Sequence, residues 1–222
     1  AQAVMSETQD IVIAGGVEVM SQVPIGSNII DSYKAGHGAP GQGEGMKEKY
    51  PGIQFSQFAG AEMMVDKFNL SREDLDSFAF ASHQKASNAT DQGYFDREIM
   101  PIEGQTQEGE PIMVTSDEGI RADTSLESLS GLKNLSEGGS LTAGTSSQIC
   151  DGAAAVMIVN DDGLKKLGIK PRAKIIALAL AGDDPVIMLT GPIPATKTVL
   201  EKANLSIEDM DIYEVNEAFA PV

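Results

Sequence analysis

Cysteine is nearly absent from this sequence of 222 residues, in which Cys150 is the one thiol. A single thiol excludes an internal disulfide framework and any zinc site built from several cysteines. It favours a reducing compartment, and the sequence shows no targeting segment, so we predict a cytoplasmic protein. Beside an alanine-rich run, Cys150 is expected to be a buried structural thiol. The two histidines, His37 and His83, form no cluster with carboxylates at metal-ligand spacing, and no metal is expected.

Basic residues are also scarce, with 16 Lys and Arg against 33 Asp and Glu, which gives a formal net charge of -17. Such a chain has no positive field with which to bind nucleic acid or an acidic membrane surface. Nor does it contain an apolar run approaching the roughly 20 residues that span a bilayer. An anionic small ligand remains compatible with this composition, because it needs only a local cluster of donors.

Apolar residues nevertheless make up 41% of the chain, enough for a substantial core. Residues 11–14 form a continuous apolar run, which predicts a strand that is buried on both faces and ends at Gly15-Gly16. Residues 22–57 are rich in Gly and Pro, which predicts a long irregular segment. Ser71 with Asp74, and Ser206 with Asp209, have the spacing of helix-capping boxes. Further helices are predicted at 1–8, 58–68, from Ser71, 124–132, 163–167 and 195–203, and further strands at 99–102, 111–114, 153–159, 174–180 and 211–215. This mixture predicts an α/β layered fold.

Four motifs stand out in order along the chain. They are Ile13-Ala14-Gly15-Gly16-Val17-Glu18-Val19-Met20-Ser21, then Leu141-Thr142-Ala143-Gly144 leading into Asp151-Gly152-Ala153-Ala154-Ala155, then Gly191-Pro192-Ile193-Pro194-Ala195, and finally Asn216-Glu217-Ala218-Phe219-Ala220. In order and spacing they resemble successive motifs of thiolases, and the resemblance covers essentially the whole chain.

The resemblance implies a thiolase-like layered αβαβα fold, incomplete in this chain, with an inserted α+β loop domain. Residues 1–21 and 151–172 would be remnants of the N-terminal half, residues 22–150 the loop domain, and residues 173–222 the start of the C-terminal half. The implied reaction is acyl transfer to and from coenzyme A, by reversible Claisen condensation or thiolysis of 3-ketoacyl-CoA. Coenzyme A would be a substrate rather than a cofactor, and a homo-oligomer is expected.

The resemblance also implies roles for particular residues. Asn216 would be catalytic, because its amide can donate to an oxyanion or orient a water molecule. Arg121 and Ser128 match loop positions near the adenosine and phosphates of coenzyme A, and Ser147 matches a position that contacts the pantetheine arm. Met188 and Phe219 match apolar positions that line the acyl and pantetheine tunnel.

Three catalytic elements of the family have no counterpart here, namely the nucleophilic Cys, the Gly-His-Pro histidine and the second Cys. The nucleophile would lie before Gly15-Gly16 and the other two elements after Asn216, so we expect an internal fragment that is inactive alone. The alternatives are a non-catalytic module that binds coenzyme A or a partner chain, and a sterol-carrier-type homologue with a binding role.

Overall fold

The computed structural model describes residues 1–38, 41–106 and 108–222 of the chain. Residues 39 and 40 of the Gly- and Pro-rich segment, and residue 107, lie outside the described residues. The α-helices are α1 (Gln2–Met5), α2 (Ser27–Lys34), α3 (Glu44–Lys49), α4 (Gln57–Phe68), α5 (Arg72–Asp91), α6 (Leu126–Ser130), α7 (Asp161–Leu167) and α8 (Pro192–Ala203). The strands are β1 (Ile11–Val19), β2 (Ile102–Gln105), β3 (Pro111–Val114) and β4 (Asp151–Val159), and short 3-10 helices span Ala143–Thr145 and Ile207–Asp209.

The chain forms two compact units. The first unit contains Ala1–Phe55 and Ile149–Glu214, and the second contains Ser56–Gln148 and Val215–Val222. The second unit therefore holds Asn216 and its motif together with α4, α5 and α6. The predicted division at residues 22, 151 and 173 stays a prediction.

The first unit is organised around an antiparallel ribbon in which β1 pairs with β4, from Ile11 opposite Val159 to Val19 opposite Asp151. Gly15 and Gly16 do not end the strand as predicted, because they pair directly with Ala155 and Ala154. A Cβ on Gly15 would lie 3.0 Å from the Ala154 carbonyl oxygen. The glycine therefore permits a close approach of the two strands within the ribbon.

The prediction that β1 is buried on both faces is wrong for this chain. Ile13 and Val17 are each 73% exposed. Within the described residues β1 pairs with β4 alone, and a two-stranded ribbon leaves both faces open. Cys150, directly before β4, is likewise exposed and not the buried thiol that the alanine-rich run predicted.

The predicted strands at 174–180 and 211–215 are also wrong, since neither of these described segments is assigned as a strand. A strand needs a hydrogen-bonded neighbour, and an apolar sequence alone does not supply one. The predicted strand at 99–102 is displaced to β2, which pairs with β3 from Ile102 opposite Val114 to Gln105 opposite Pro111. The irregular segment 22–57 contains α2 and α3.

The second unit holds the larger share of the buried apolar side chains. Leu75 on α5 is 2% exposed, and Leu141 is fully buried. Other buried apolar side chains of this unit come from α4, α5, α6 and the last motif: Ala61, Met64, Val65, Ala79, Leu129 and Phe219. The candidate site is therefore attached to the better-packed of the two units.

Helix α5 begins at the capping box that the sequence predicted. The Ser71 hydroxyl accepts a hydrogen bond from the Asp74 N–H at 3.1 Å, and the Ser71 N–H donates to the Asp74 carboxylate at 2.8 Å. Hydrogen bonds from the hydroxyl and the N–H of Ser71 hold the pKa of Asp74 below its ordinary value. The second predicted box, Ser206 with Asp209, is also present.

We expect Ser71→Ala to lower the free energy of unfolding by about 1 kcal/mol, because it removes the acceptor for an N-terminal N–H of α5. A folded-state pKa below the unfolded value makes the contribution of Asp74 fully present above the unfolded value, which is about 3.9. That contribution is lost as the pH falls through the folded-state pKa. Urea denaturation between pH 3 and pH 7 checks both points.

The matched control is Ser77→Ala, which removes an exposed hydroxyl from the interior of the same helix. It should not destabilise the chain, because alanine is the better helix former. Equal effects of the two substitutions on the free energy of unfolding would contradict the capping argument. So would a difference between Ser71→Ala and the unsubstituted chain that is as large at pH 3 as at pH 7.

Candidate functional site

The last motif is held within the second unit by backbone hydrogen bonds. The Ser147 N–H donates to the Ala218 carbonyl at 2.8 Å, and the Ala220 N–H donates to the Thr145 carbonyl at 2.9 Å. The Ser147 hydroxyl donates to the Glu217 carbonyl at 2.9 Å. Residues 145–148, hereafter the serine segment, therefore dock residues 216–220, hereafter the Asn216 motif.

Phe219 anchors the same motif by packing. Its side chain is 5% exposed, and its ring meets the ring of Phe58 edge to face, with the two centroids 5.2 Å apart. Phe58 is 53% exposed. Phe58 therefore offers the larger apolar surface at this point, whereas Phe219 secures the chain.

Asn216 itself is exposed, although residues on its C-terminal side are tied down. The neighbouring Glu217 has two anchors, because its carboxylate also accepts a hydrogen bond from the Ser82 hydroxyl of α5 at 3.0 Å. This arrangement presents an amide donor and acceptor on an anchored backbone, as an oxyanion-stabilising group requires.

A second loop of the same unit, Gly119–Ala122, reaches α5 through Arg121. The Arg121 N–H donates to Nδ1 of His83 at 3.2 Å, and the Gln84 amide donates to the Ala122 carbonyl at 3.4 Å. The Gln148 amide donates to the Gly119 carbonyl. The guanidinium of exposed Arg121 is thus carried on a loop fixed to both α5 and the serine segment.

The remaining predicted residues are Ser128 and Met188. Ser128 lies in α6 as the capping-box partner of the N-cap Ser125, where its hydroxyl donates to the Ser125 carbonyl at 2.8 Å and accepts from the Ser125 N–H at 3.1 Å. Met188 lies in the first unit and is half-buried, with φ at +47°. A left-handed conformation is strained for methionine, and such strain tends to cluster at functional sites.

Three contributors were missed by reasoning from the sequence, namely Ser82, Gln148 and the acceptor role of His83. Their partners lie 135, 29 and 38 residues away along the chain. Ser82 and His83 are consecutive on α5, so a mid-helix pair of polar residues beside an apolar face was the one available signal.

Two findings bear on other classes of function. Among residues 1–38, 41–106 and 108–222, no group of three or more His, Cys, Asp or Glu side chains is placed to hold a metal ion. None of the helices in those ranges has the length and apolar character needed to cross a membrane.

Comparison with known proteins agrees with the motif series. Residues 1–162 match the family model of the thiolase N-terminal domain, and residues 169–222 match that of the thiolase C-terminal domain. The steroid 3-ketoacyl-CoA thiolase FadA6 of Mycobacterium tuberculosis is 45% identical over 100% of this chain and 53% of its own length. A 3-ketoacyl-CoA thiolase of Aliivibrio fischeri is 41% identical over 99% of this chain and 54% of its own.

Solved structures agree as well. Human mitochondrial 3-ketoacyl-CoA thiolase superposes with a TM-score of 0.81 at 35% identity, covering 99% of this chain and 56% of that one. Acetyl-CoA acetyltransferase from Syntrophomonas wolfei gives a TM-score of 0.79 at 33% identity, with the same coverage. The predicted α/β thiolase-like fold, partial in this chain, is confirmed. The chain spans about half the length of the curated relatives it matches.

Proposed function

Because the chain belongs to the thiolase family, we propose that a protein carrying it is an acyl-CoA acyltransferase. The reaction would be reversible Claisen condensation, or thiolysis of a 3-ketoacyl-CoA. The observation that carries this proposal is the exposed Asn216 amide, on a motif docked by three hydrogen bonds to the serine segment.

The chemistry asks two things of such a site. A thiolate must attack the acyl carbon, and the negative oxygen that then develops must meet donors already in place. Asn216 meets the second requirement, because its side-chain NH₂ can donate a hydrogen bond to that oxygen, or to a water molecule that in turn donates to the oxygen. The family positions of the nucleophilic Cys, the catalytic His and the second Cys have no match in this chain. We propose that the chain alone does not turn over.

Coenzyme A is the proposed substrate carrier, and no metal or other cofactor is proposed. Arg121 suits a phosphate because its guanidinium is always charged and its loop is fixed to α5. The Ser147 hydroxyl already donates to Glu217, but its oxygen can still accept an N–H from the pantetheine arm. Ser128 and Met188 stay proposed contacts, and Phe58 adds exposed apolar surface to the proposed contact at Phe219. We also propose that the protein forms a homo-oligomer and is located in the cytoplasm.

Two measurements on the purified 222-residue chain test this proposal. In a thiolysis assay with acetoacetyl-CoA and CoA, we expect no turnover above background. In calorimetry with CoA, we expect saturable binding that Arg121→Ala weakens about tenfold, since a hydrogen bond to a charged group contributes roughly 1.5–3 kcal/mol.

Arg97→Ala is the matched control, because Arg97 is an exposed arginine of the same unit and its loss changes the net charge equally. Turnover by the chain alone would contradict the assignment of the missing chemistry to residues outside it. Equal weakening by both arginine substitutions would reduce the proposed phosphate contact to a general charge effect.

A further inference from the structure

We infer that Ser82 of helix α5 is a positioning residue for Asn216, acting through the carboxylate of Glu217. Its hydroxyl donates to Glu217 Oε2 at 3.0 Å, across 135 residues of sequence. The inference rests on the proposed function only for the chemical role of Asn216, and the contact itself is independent of that role.

The geometry around Glu217 explains why a side-chain contact matters there. The backbone hydrogen bonds of the motif act at the carbonyls of Glu217 and Ala218 and at the N–H of Ala220, which are all on the C-terminal side of Asn216. On the other side, residues 211–215 are exposed and form no strand. The peptide that joins Asn216 to Glu217 is therefore fixed from one direction only by the main chain.

The Ser82 contact supplies a second restraint on that peptide. With the carbonyl of Glu217 held by Ser147 and its carboxylate held by Ser82, the residue is attached at both its backbone and its side chain. A residue attached at two points cannot rotate freely about its backbone dihedrals. The backbone of the preceding Asn216 shares a peptide with Glu217, so its Cα is held in place and its amide is presented from an anchored position.

Helix α5 is suited to this task. It is 20 residues long, it begins at a complete capping box, and it buries Leu75 and Ala79. His83, which follows Ser82 in the helix, accepts a hydrogen bond from the backbone N–H of Arg121. One turn of a well-anchored helix thus orients both the Asn216 motif and the loop proposed to bind phosphate.

Backbone and side-chain amide relaxation by NMR on the 222-residue chain tests the inference. For the unsubstituted chain we expect the order parameter of the Asn216 backbone N–H to approach the rigid-backbone value of about 0.85. Ser82→Ala should lower that order parameter toward about 0.6. The order parameters of Ala218, Ala220 and α5 should stay unchanged, because their own hydrogen bonds remain.

Four further variants make the result specific. Ser77→Ala removes an exposed hydroxyl from the same helix and should leave Asn216 unaffected, and Ser82→Thr should retain the rigid value because it keeps a hydroxyl. Glu217→Ala should reproduce the effect of Ser82→Ala, and the double variant should add nothing further, as expected of two partners in one contact.

An unchanged order parameter at Asn216 in Ser82→Ala would overturn the inference. A decrease spread evenly over residues 216–220 and α5 would do the same, because it would show a general loss of packing. None of these measurements uses turnover or CoA binding, so a failed assay for the proposed function leaves their outcome intact.

Discussion

Replacing Arg72 by methionine should lower the free energy of unfolding of the second unit by about 3 kcal/mol. The Asp76 side chain is 5% exposed, and Nε of Arg72 donates to both of its carboxylate oxygens, at 3.0 and 2.9 Å. Removing one partner of a buried pair leaves an uncompensated charge, which costs roughly 3–5 kcal/mol. We place the effect at the lower end because the Arg72 side chain is 26% exposed.

Arg72 does more than neutralise Asp76. Its two terminal nitrogens donate to the Asn134 side chain at 2.8 Å and to the Leu129 carbonyl at 2.7 Å. The guanidinium therefore joins the first turn of α5 to the end of α6 and to the chain that follows it. Lysine cannot reproduce this planar set of donors, so Arg72→Lys should recover only part of the loss.

Hydrogen exchange of the α5 amides reports the stability of the unit that holds this pair. The double variant Arg72→Met, Asp76→Leu should be more stable than Arg72→Met alone, because it also removes the buried carboxylate that has lost its ion-pair partner. The control Lys165→Met breaks an exposed pair with Asp162 on α7 of the first unit, in which the side chains are 76% and 70% exposed, and should leave the exchange of the α7 amides essentially unchanged. Equal effects of Arg72→Met and Lys165→Met would show that burial of Asp76 adds nothing.

Replacing Glu62 by alanine should cost about 2–3 kcal/mol and loosen the segment that leads to the serine segment. The Glu62 carboxylate accepts hydrogen bonds from two consecutive backbone groups, the N–H of Ser140 at 2.9 Å and the N–H of Leu141 at 3.0 Å. The Leu141 side chain is fully buried. Bonds to a charged acceptor contribute roughly 1.5–3 kcal/mol, and a buried N–H left without a partner is destabilising.

Amide exchange at Ser140 and Leu141 checks this prediction directly. Both amides should exchange at least tenfold faster in Glu62→Ala, since about 1.4 kcal/mol corresponds to a factor of ten. Glu62→Gln keeps one side-chain oxygen, so its exchange rates at these two amides should lie between those of the unsubstituted chain and those of Glu62→Ala. Unchanged protection of both amides in Glu62→Ala would contradict the role assigned to the carboxylate.

The sequence predicted the helices of the second unit well, because their signals are local. The Ser71 and Asp74 pair is three residues apart, and the apolar face of α5 repeats at helical spacing, so both can be recognised without knowing the fold. In the first unit, the helix predicted at 195–203 is present as α8 but begins three residues earlier, at Pro192, where proline is favoured in the first turn.

The strands were predicted less well because pairing is not a local property. Residues 174–180 are as apolar as those of β4, yet β4 pairs with β1 and residues 174–180 form no strand. The exposure of Ile13 and Val17 has the same origin, since burial of a strand depends on what covers the sheet.

The site divides in the same way. The motif around Asn216 is visible in the sequence, and the roles of Asn216, Arg121 and Ser147 stay predictions that the family resemblance implies. Local sequence therefore specified the family, the helices and their caps, because each depends on neighbouring residues. The anchoring of the Asn216 motif by Ser82 and Ser147, and of Arg121 by His83, required the tertiary structure. These contacts join residues 38 to 135 positions apart, and only the packing of α5 and the serine segment brings them together.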